Sequence, residues 1–432
     1  MAQVKKYAGG LRLIVENMPS LRSVSIGILV GAGSCLENAD NNGISHFIEH
    51  TTFKGTKRFN SRTLSEAFDD IGSQVNAFTS KEMTCYYVKS TKSAMERSVD
   101  LLSDMFLNSV YDEDELNREK GVIIEEINMS EDTPEDVCLD TLSLAYFGND
   151  GLGRTILGSK ENITKFDKSY IEAYRKAYYN ADNVVVSFAG NVTIEEADLL
   201  VSKYIEPFLS TNKSDSLIVP TDKNLYGKIS KNKEIEQLHL ALGFSCVKYD
   251  DELNNEAAVM NVALGSGMSS RLFQTVREKL GLCYTVYSYP SGYRNTGSLA
   301  VYAGVNKETV NKAYDAIFAV LKELQNDGIG ESELSRAKSQ MLSSFEFGSE
   351  NTASQMMLFG KYLLFTDKIF DFDNKVKKIE GVTGEGLNKF IRSLDFDDFS
   401  LSIVGKILKS QSQAKSGGLE LIRDRRFFSR RF

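Results

Sequence analysis

His46-Phe47-Ile48-Glu49-His50 sets two imidazoles four residues apart. On a helix that step turns through about 400° and leaves both rings on one face, a turn apart, the spacing at which two histidines chelate one metal ion. Glu49, three residues after His46, falls about 60° to the other side of that histidine, within reach of a water on the metal. It is placed as a base and not as a ligand. The chain has three histidines, and two of them at chelating spacing with a Glu between them argue for metal binding over local hydrogen bonding.

Three protein ligands and a water make a catalytic zinc site, in which the ion lowers the pKa of the water towards about 7 and polarises a carbonyl. A third ligand is therefore needed. The best source is the segment 112–132, where Asp112 and Glu115 stand in capping-box register and Leu116, Val122, Ile123 and Ile127 give an apolar helical stripe. It offers Glu119, Glu125 and Glu126. Glu119 and Glu126 are seven apart and share a face to within about 20°, whereas Glu125 points elsewhere. One of the pair can bind metal while the other accepts a hydrogen bond from a ligating histidine and fixes its tautomer. A solvated acidic face is the alternative.

The elements that must position these groups alternate without a steady β-α-β rhythm. Strand patterns fall at 11–15, 24–30 and within 75–90, and helical patterns at 61–71 and 94–108; a helix opens after Asn41-Asn42-Gly43. The run 183–190, buried-strand-like and ending in Gly190, is echoed at 398–405, ending in Gly405, and 24–30 is echoed at 238–244. The chain is thus expected to be two copies of one unit. At 432 residues it exceeds a single core, which stops growing at about 250–300 residues. The polar stretch 210–223, with Pro220, is the natural linker. The expected division is 1–216, a metal-binding domain; 217–410, a similar domain without metal; and 411–432, a basic tail with Arg423, Arg425, Arg426, Arg430 and Arg431. The fold class is α+β, each domain a largely antiparallel sheet covered by helices.

A net charge of −8 argues against a nucleic-acid footprint, which would need a basic stripe over much of a domain. Five cysteines without Cys-x-x-Cys spacing read as reduced thiols of a cytoplasmic protein. The N-terminal residues show no apolar signal core and no run reaches the length of a membrane span, so neither export nor a membrane span is expected. His239 has no partner at ligand spacing and is read as structural.

The word His46-Phe-Ile-Glu-His50 resembles the inverted zinc motif of the inverzincins. With Gly43-Ile-Ser-His46, Phe53-Lys-Gly-Thr56, Gly72-Ser-Gln-Val-Asn-Ala-Phe-Thr79, Glu119-Lys-Gly-Val-Ile-Ile-Glu-Glu-Ile127 and Gly267-Met-Ser-Ser-Arg-Leu-Phe273, the chain is similar over nearly its whole length to the pitrilysin and mitochondrial processing peptidase family. That resemblance selects Glu126 as the third zinc ligand, with Glu119 behind a histidine. It implies one zinc ion per chain. It also implies that Arg277 and Tyr284, in Arg277-Glu-Lys-Leu-Gly-Leu-Cys-Tyr284, hold substrate, and that Asn76 lines a strand edge where an extended peptide adds by β-pairing. From the residues alone, Arg277 is an exposed helix-end residue, Tyr284 a core strand residue and Asn76 a turn or strand-end residue bonded to its own backbone.

The function expected is a zinc-dependent endopeptidase acting on peptides or unfolded segments, with Glu49 as base. The family's clamshell pairing implies a homodimer enclosing a chamber. The alternatives are a catalytically silent peptide-binding subunit, against which intact His46, Glu49, His50 and Glu126 speak, and an enzyme dedicated to one precursor.

Overall fold

The computed structural model describes residues 2–215 and 224–406, so the expected boundary near 217 and the arginine-rich tail lie outside the described residues. The fold is α+β, as expected, with two sheets. Strands β1 (Gln3–Lys6), β2 (Arg12–Asn17), β3 (Ser23–Val30), β4 (Gln74–Thr79), β5 (Thr84–Thr91) and β6 (Val184–Gly190) lie in the order β1-β2-β6-β3-β5-β4. Strands β7 (Lys228–Lys231), β8 (Gln237–Ser245), β9 (Cys283–Gly292), β10 (Gly297–Asn306) and β11 (Ser400–Val404) lie in the order β7-β11-β8-β10-β9. Pairing is antiparallel except for β2 with β6 and β7 with β11. Without β1 the two orders are the same. The echoed segments occupy equivalent places: β3 with β8, and β6 with β11.

Central position explains their composition. Val184–Gly190 is buried at every residue, which suits a mostly apolar, β-branched and aromatic run whose single hydroxyl, Ser187, is itself hydrogen-bonded. The first sheet carries on one face a core that includes Val24, Ile26, Ile28, Phe47, Ile48, Phe106 and Ile123.

The other face of each sheet is covered from far along the sequence. The chain forms two compact units, one from Met1–Asn128, Asp150–Pro220 and Ser344–Asp373, the other from Met129–Asn149, Thr221–Ser343 and Asn374–Phe432. Four helices matter below: α1 (Ile44–Thr52), α2 (Glu113–Asp132), α3 (Pro134–Phe147) and α4 (Thr352–Thr366). Helix α4, from the second half of the sequence, packs Met356, Phe359 and Leu363 on Ile14, Leu29 and Val185 of the first sheet. Helix α3, from the first half, packs Cys138 and Leu142 on Ala241, Ala300 and Val404 of the second. Buried polar contacts fix α4: the hydroxyls of Ser25 and Thr352 are 2.8 Å apart, and Ser187 donates to the carbonyl of Met356 at 2.7 Å.

Gly360 lets α4 approach the sheet. A Cβ there would lie 2.8 Å from Leu29 Cδ1 and 2.9 Å from Ser187 Cβ. Ala favours a helix over Gly by about 1 kcal/mol, but overpacking costs about 1–3 kcal/mol. Gly360→Ala is therefore expected to destabilise the first unit by up to about 2 kcal/mol, read as a lower denaturation midpoint; a higher midpoint would show that the contact yields freely.

No helix among the described residues is long and apolar enough to cross a membrane. All five cysteines are free thiols.

Candidate metal centre

Helix α1 starts where turn residues predict it, and its entry is built tightly. Gly43 has φ of 101°, and a Cβ on it would stand 2.8 Å from the carbonyl of Leu157, so both conformation and space call for glycine. The buried carboxylate of Glu37 accepts from the backbone N–H of Gly43 at 2.7 Å and of Ser45 at 2.8 Å, and from the Asn42 amide at 2.8 Å. A negative group at a helix start is worth about 0.3–1 kcal/mol. Burial pushes the Glu37 carboxyl up, and these donors oppose that rise. Phe47 and Ile48 are fully buried, Phe47 against Phe166 at 5.5 Å. At about 1.5–3 kcal/mol each, they fix the rotation of the helix and with it the direction of His46 and His50.

Helix α2 begins as its sequence foretells: Asp112 Oδ1 accepts from the N–H of Asp114 at 3.0 Å and of Glu115 at 3.2 Å. Its buried residues are Leu116, Glu119, Ile123 and Ile127. Val122, expected in that stripe, is instead 51% exposed, because it stands four residues before Glu126 and shares that residue's face, about 100° from Ile123. Glu125 is exposed.

The two helices bring four of the expected residues together. Glu126 Oε2 lies 3.6 Å from His46 Nε2 and 3.4 Å from His50 Nε2. One donor atom from each of the three residues lies within 4.8 Å of the others, the only such group of three or more His, Cys, Asp or Glu among the described residues. A tetrahedral ion with bonds of about 2.0–2.1 Å separates its ligands by roughly 3.3 Å. The two gaps to Glu126 are close to that separation, and the donor set of two imidazoles and a carboxylate suits zinc. On the other side of the His50 ring, Nδ1 is 2.8 Å from Glu119 Oε1, which leaves Nε2 as the atom that faces Glu126. The buried Nδ1 of His46 has no hydrogen-bond partner among the described residues.

Burial, and then the neighbouring His50, push the His46 pKa down to about 3, so its ring is neutral as a ligand must be. Burial works against a charged His50, but Glu119, Glu126 and Glu49 outweigh it and hold its pKa above the ordinary value. Glu119 is 4% exposed; burial would raise its pKa, but the hydrogen bonds with His50 and Lys54 prevail and lower it. Burial raises the Glu49 carboxyl, opposed by a hydrogen bond from Thr79. A carboxylate shifted up is a stronger proton acceptor.

Thr79 and Lys54 are contacts that motif spacing did not identify. Thr79, at the end of β4, donates its hydroxyl to Glu49 Oε2 at 2.5 Å. Lys54 Nζ is 2.6 Å from Glu119 Oε2. Both stand inside the quoted motif words, but only the tertiary approach of β4 and α2 gives them partners.

Glu119→Ala is expected to weaken zinc affinity about 10–100-fold, the usual cost of losing a group that orients a ligand. Competition against a chelator would check this, and an affinity equal to wild type would reduce Glu119 to a packing role.

The remaining candidates are placed as follows. Asn76 is exposed on β4, the outer strand of its sheet, and its Oδ1 accepts from the N–H of Ala77 at 2.8 Å. Arg277 lies in a π-helical turn, Phe273–Lys279, in the second unit. Its guanidinium sits over the rings of Phe273 at 4.6 Å and Tyr284 at 4.9 Å. Tyr284 is 73% exposed, which removes the core-packing explanation for it. His239 Nδ1 is 2.6 Å from the Tyr302 hydroxyl, a hydrogen bond that accounts for it without a metal.

Comparison with known proteins agrees with this geometry. The model for "Insulinase (Peptidase family M16)" matches residues 12–160, and that for "Peptidase M16 inactive domain" matches 165–341. The uncharacterized zinc protease YmxG of Bacillus subtilis is 40% identical over 403 residues, 93% of this chain and 98% of that protein. An uncharacterized zinc protease of Streptomyces coelicolor is 33% identical over 94% of this chain and 89% of its own length. Among solved structures, a peptidase M16 inactive domain from Pseudomonas fluorescens superposes with a TM-score of 0.88 at 17% identity, covering 94% of this chain and 98% of that one. A protease from Helicobacter pylori gives 0.86 at 20% identity, covering 94% and 99%. The two family models and a relative 40% identical along nearly the full length carry one conclusion: the chain belongs to peptidase family M16.

Proposed function

We infer that this protein is a zinc-dependent endopeptidase in which His46, His50 and Glu126 hold the metal, Glu49 is the base and Glu119 orients His50. The observation that carries the reading is the approach of three donor atoms to within 4.8 Å beside a buried carboxylate at Glu49. The names of the relatives support zinc as the ion.

When bound, the ion lowers the pKa of a water and polarises the scissile carbonyl. Glu49 takes the proton of the attacking water and returns it to the leaving amine. The Thr79 hydroxyl holds the Glu49 carboxylate in one orientation while that proton moves. The outer edge of β4, with Asn76, offers backbone hydrogen bonds to an extended peptide, which favours peptides and unfolded segments as substrates. Arg277 and Tyr284 would hydrogen-bond substrate carbonyls and the developing oxyanion. The second unit is then a metal-free copy kept for assembly and substrate contact. The free thiols support a reducing compartment, the cytoplasm.

Purified protein should be assayed for metal and for cutting of a mixed peptide pool, with and without a chelator. Zinc at one equivalent and chelator-sensitive cleavage support the reading. A protein that binds zinc but cuts nothing would favour the silent peptide-binding subunit, and cleavage of a single precursor would favour a dedicated enzyme.

In a homodimer the second unit of one chain would serve the zinc of the other. Mixing inactive Glu49→Gln with a Tyr284→Phe chain already shown to be impaired is then expected to regain activity, because one site in each heterodimer keeps both groups. A mixture as inactive as its parents, with subunit exchange demonstrated by tagging, would rule out a site shared in this way.

A further inference from the structure

Glu119 is bonded at both ends. Its Oε1 meets His50 Nδ1 at 2.8 Å and its Oε2 meets Lys54 Nζ at 2.6 Å, while its side chain is 5% exposed and that of Lys54 is 27% exposed. Lys54 follows α1 directly, its N–H donating to the carbonyl of Thr51 at 3.1 Å. The segment that supplies the ring of His50 therefore also supplies a cation, and Glu119 bridges the two from α2.

Metal binding needs His50 neutral. Its Nδ1–H can then give Glu119 one hydrogen bond but no charge. A carboxylate taken out of water is strongly disfavoured unless a cation stands beside it. Three carboxylates, Glu49, Glu119 and Glu126, gather here, and Lys54 supplies the ammonium that neutralises Glu119 directly. It also fixes the second oxygen, so that the carboxylate cannot rotate away from His50 Nδ1.

We propose that Lys54 is a positioning residue of the metal centre, acting through Glu119 on His50. The proposal rests on the zinc-site reading above. It concerns metal affinity first and turnover only in consequence.

The experiment is a double-mutant cycle read by zinc affinity, using competition against a chromogenic chelator on the full chain. Lys54→Met is expected to weaken zinc binding about 10–100-fold, and Lys54→Arg to restore most of it, since the guanidinium also donates to a carboxylate. In a Glu119→Ala background, Lys54→Met is expected to change affinity by less than about twofold, because the group it acts through is gone. Should Lys54→Met not fold by circular dichroism, Lys54→Gln replaces it in the cycle with the same convergence expected. Wild-type affinity in the Lys54 variant, or losses that multiply in the double variant, overturn this proposal alone. A wild-type chain that binds no zinc overturns it together with the zinc-site reading.

Discussion

Glu49→Gln is expected to keep its zinc and lose turnover by roughly 10²–10⁴-fold, the usual contribution of a general base. The substitution preserves shape: an amide oxygen can still accept from the Thr79 hydroxyl, which meets Glu49 Oε2 at 2.5 Å. It removes the oxygen that can take a proton. Because burial lifts the Glu49 carboxyl above its ordinary value, the wild-type group is a stronger proton acceptor than an exposed carboxylate. Metal analysis after dialysis, with turnover on the peptide pool, gives the answer. Loss of zinc would make Glu49 a ligand, and retained turnover would put the base elsewhere.

His50→Ala is expected to lose both metal and activity. One substitution here removes two interactions: Nε2, 3.4 Å from Glu126 Oε2, and Nδ1, which fixes Glu119. Two donors remain where a stable catalytic zinc needs three, and the loss should exceed the 10–100-fold expected for Glu119→Ala. Dialysis against trace chelator should leave the wild type near one zinc per chain and the variant near none. A variant that keeps stoichiometric zinc would refute the ligand set.

These predictions rest on residues visible in the sequence, and the reason is geometric. His46, Glu49 and His50 lie on one helix, so helical periodicity alone fixes their mutual arrangement, and the same holds for Glu119 and Glu126 on α2. Which of those two glutamates faces the histidines was left open by spacing, since both share a face; it depends on how α2 lies against α1. The distances separate the two, with Glu126 close to both Nε2 atoms and Glu119 on the far side of His50. Thr79 and Lys54 gain meaning only through partners 30 and 65 residues away, respectively at Glu49 and Glu119, and no periodicity reaches that far. Val122 shows the converse failure, an apolar residue at a plausible stripe position that the helix turns outward. The two-copy architecture was legible because equivalent strands keep equivalent buried patterns. The origin of the covering helices was not, since an apolar helix carries no record of which sheet it covers.

That covering has a consequence during synthesis. The last strand of the first sheet ends at Gly190, but α4 ends at Thr366, 176 residues later (366 − 190). At about 5–20 residues per second, a ribosome needs roughly 9–35 seconds to bridge that interval. Throughout it, Ile14, Leu29, Cys85, Val185 and Ala189 present an apolar face with nothing to close it. The first half of the chain therefore completes its fold only after most of the second has been made.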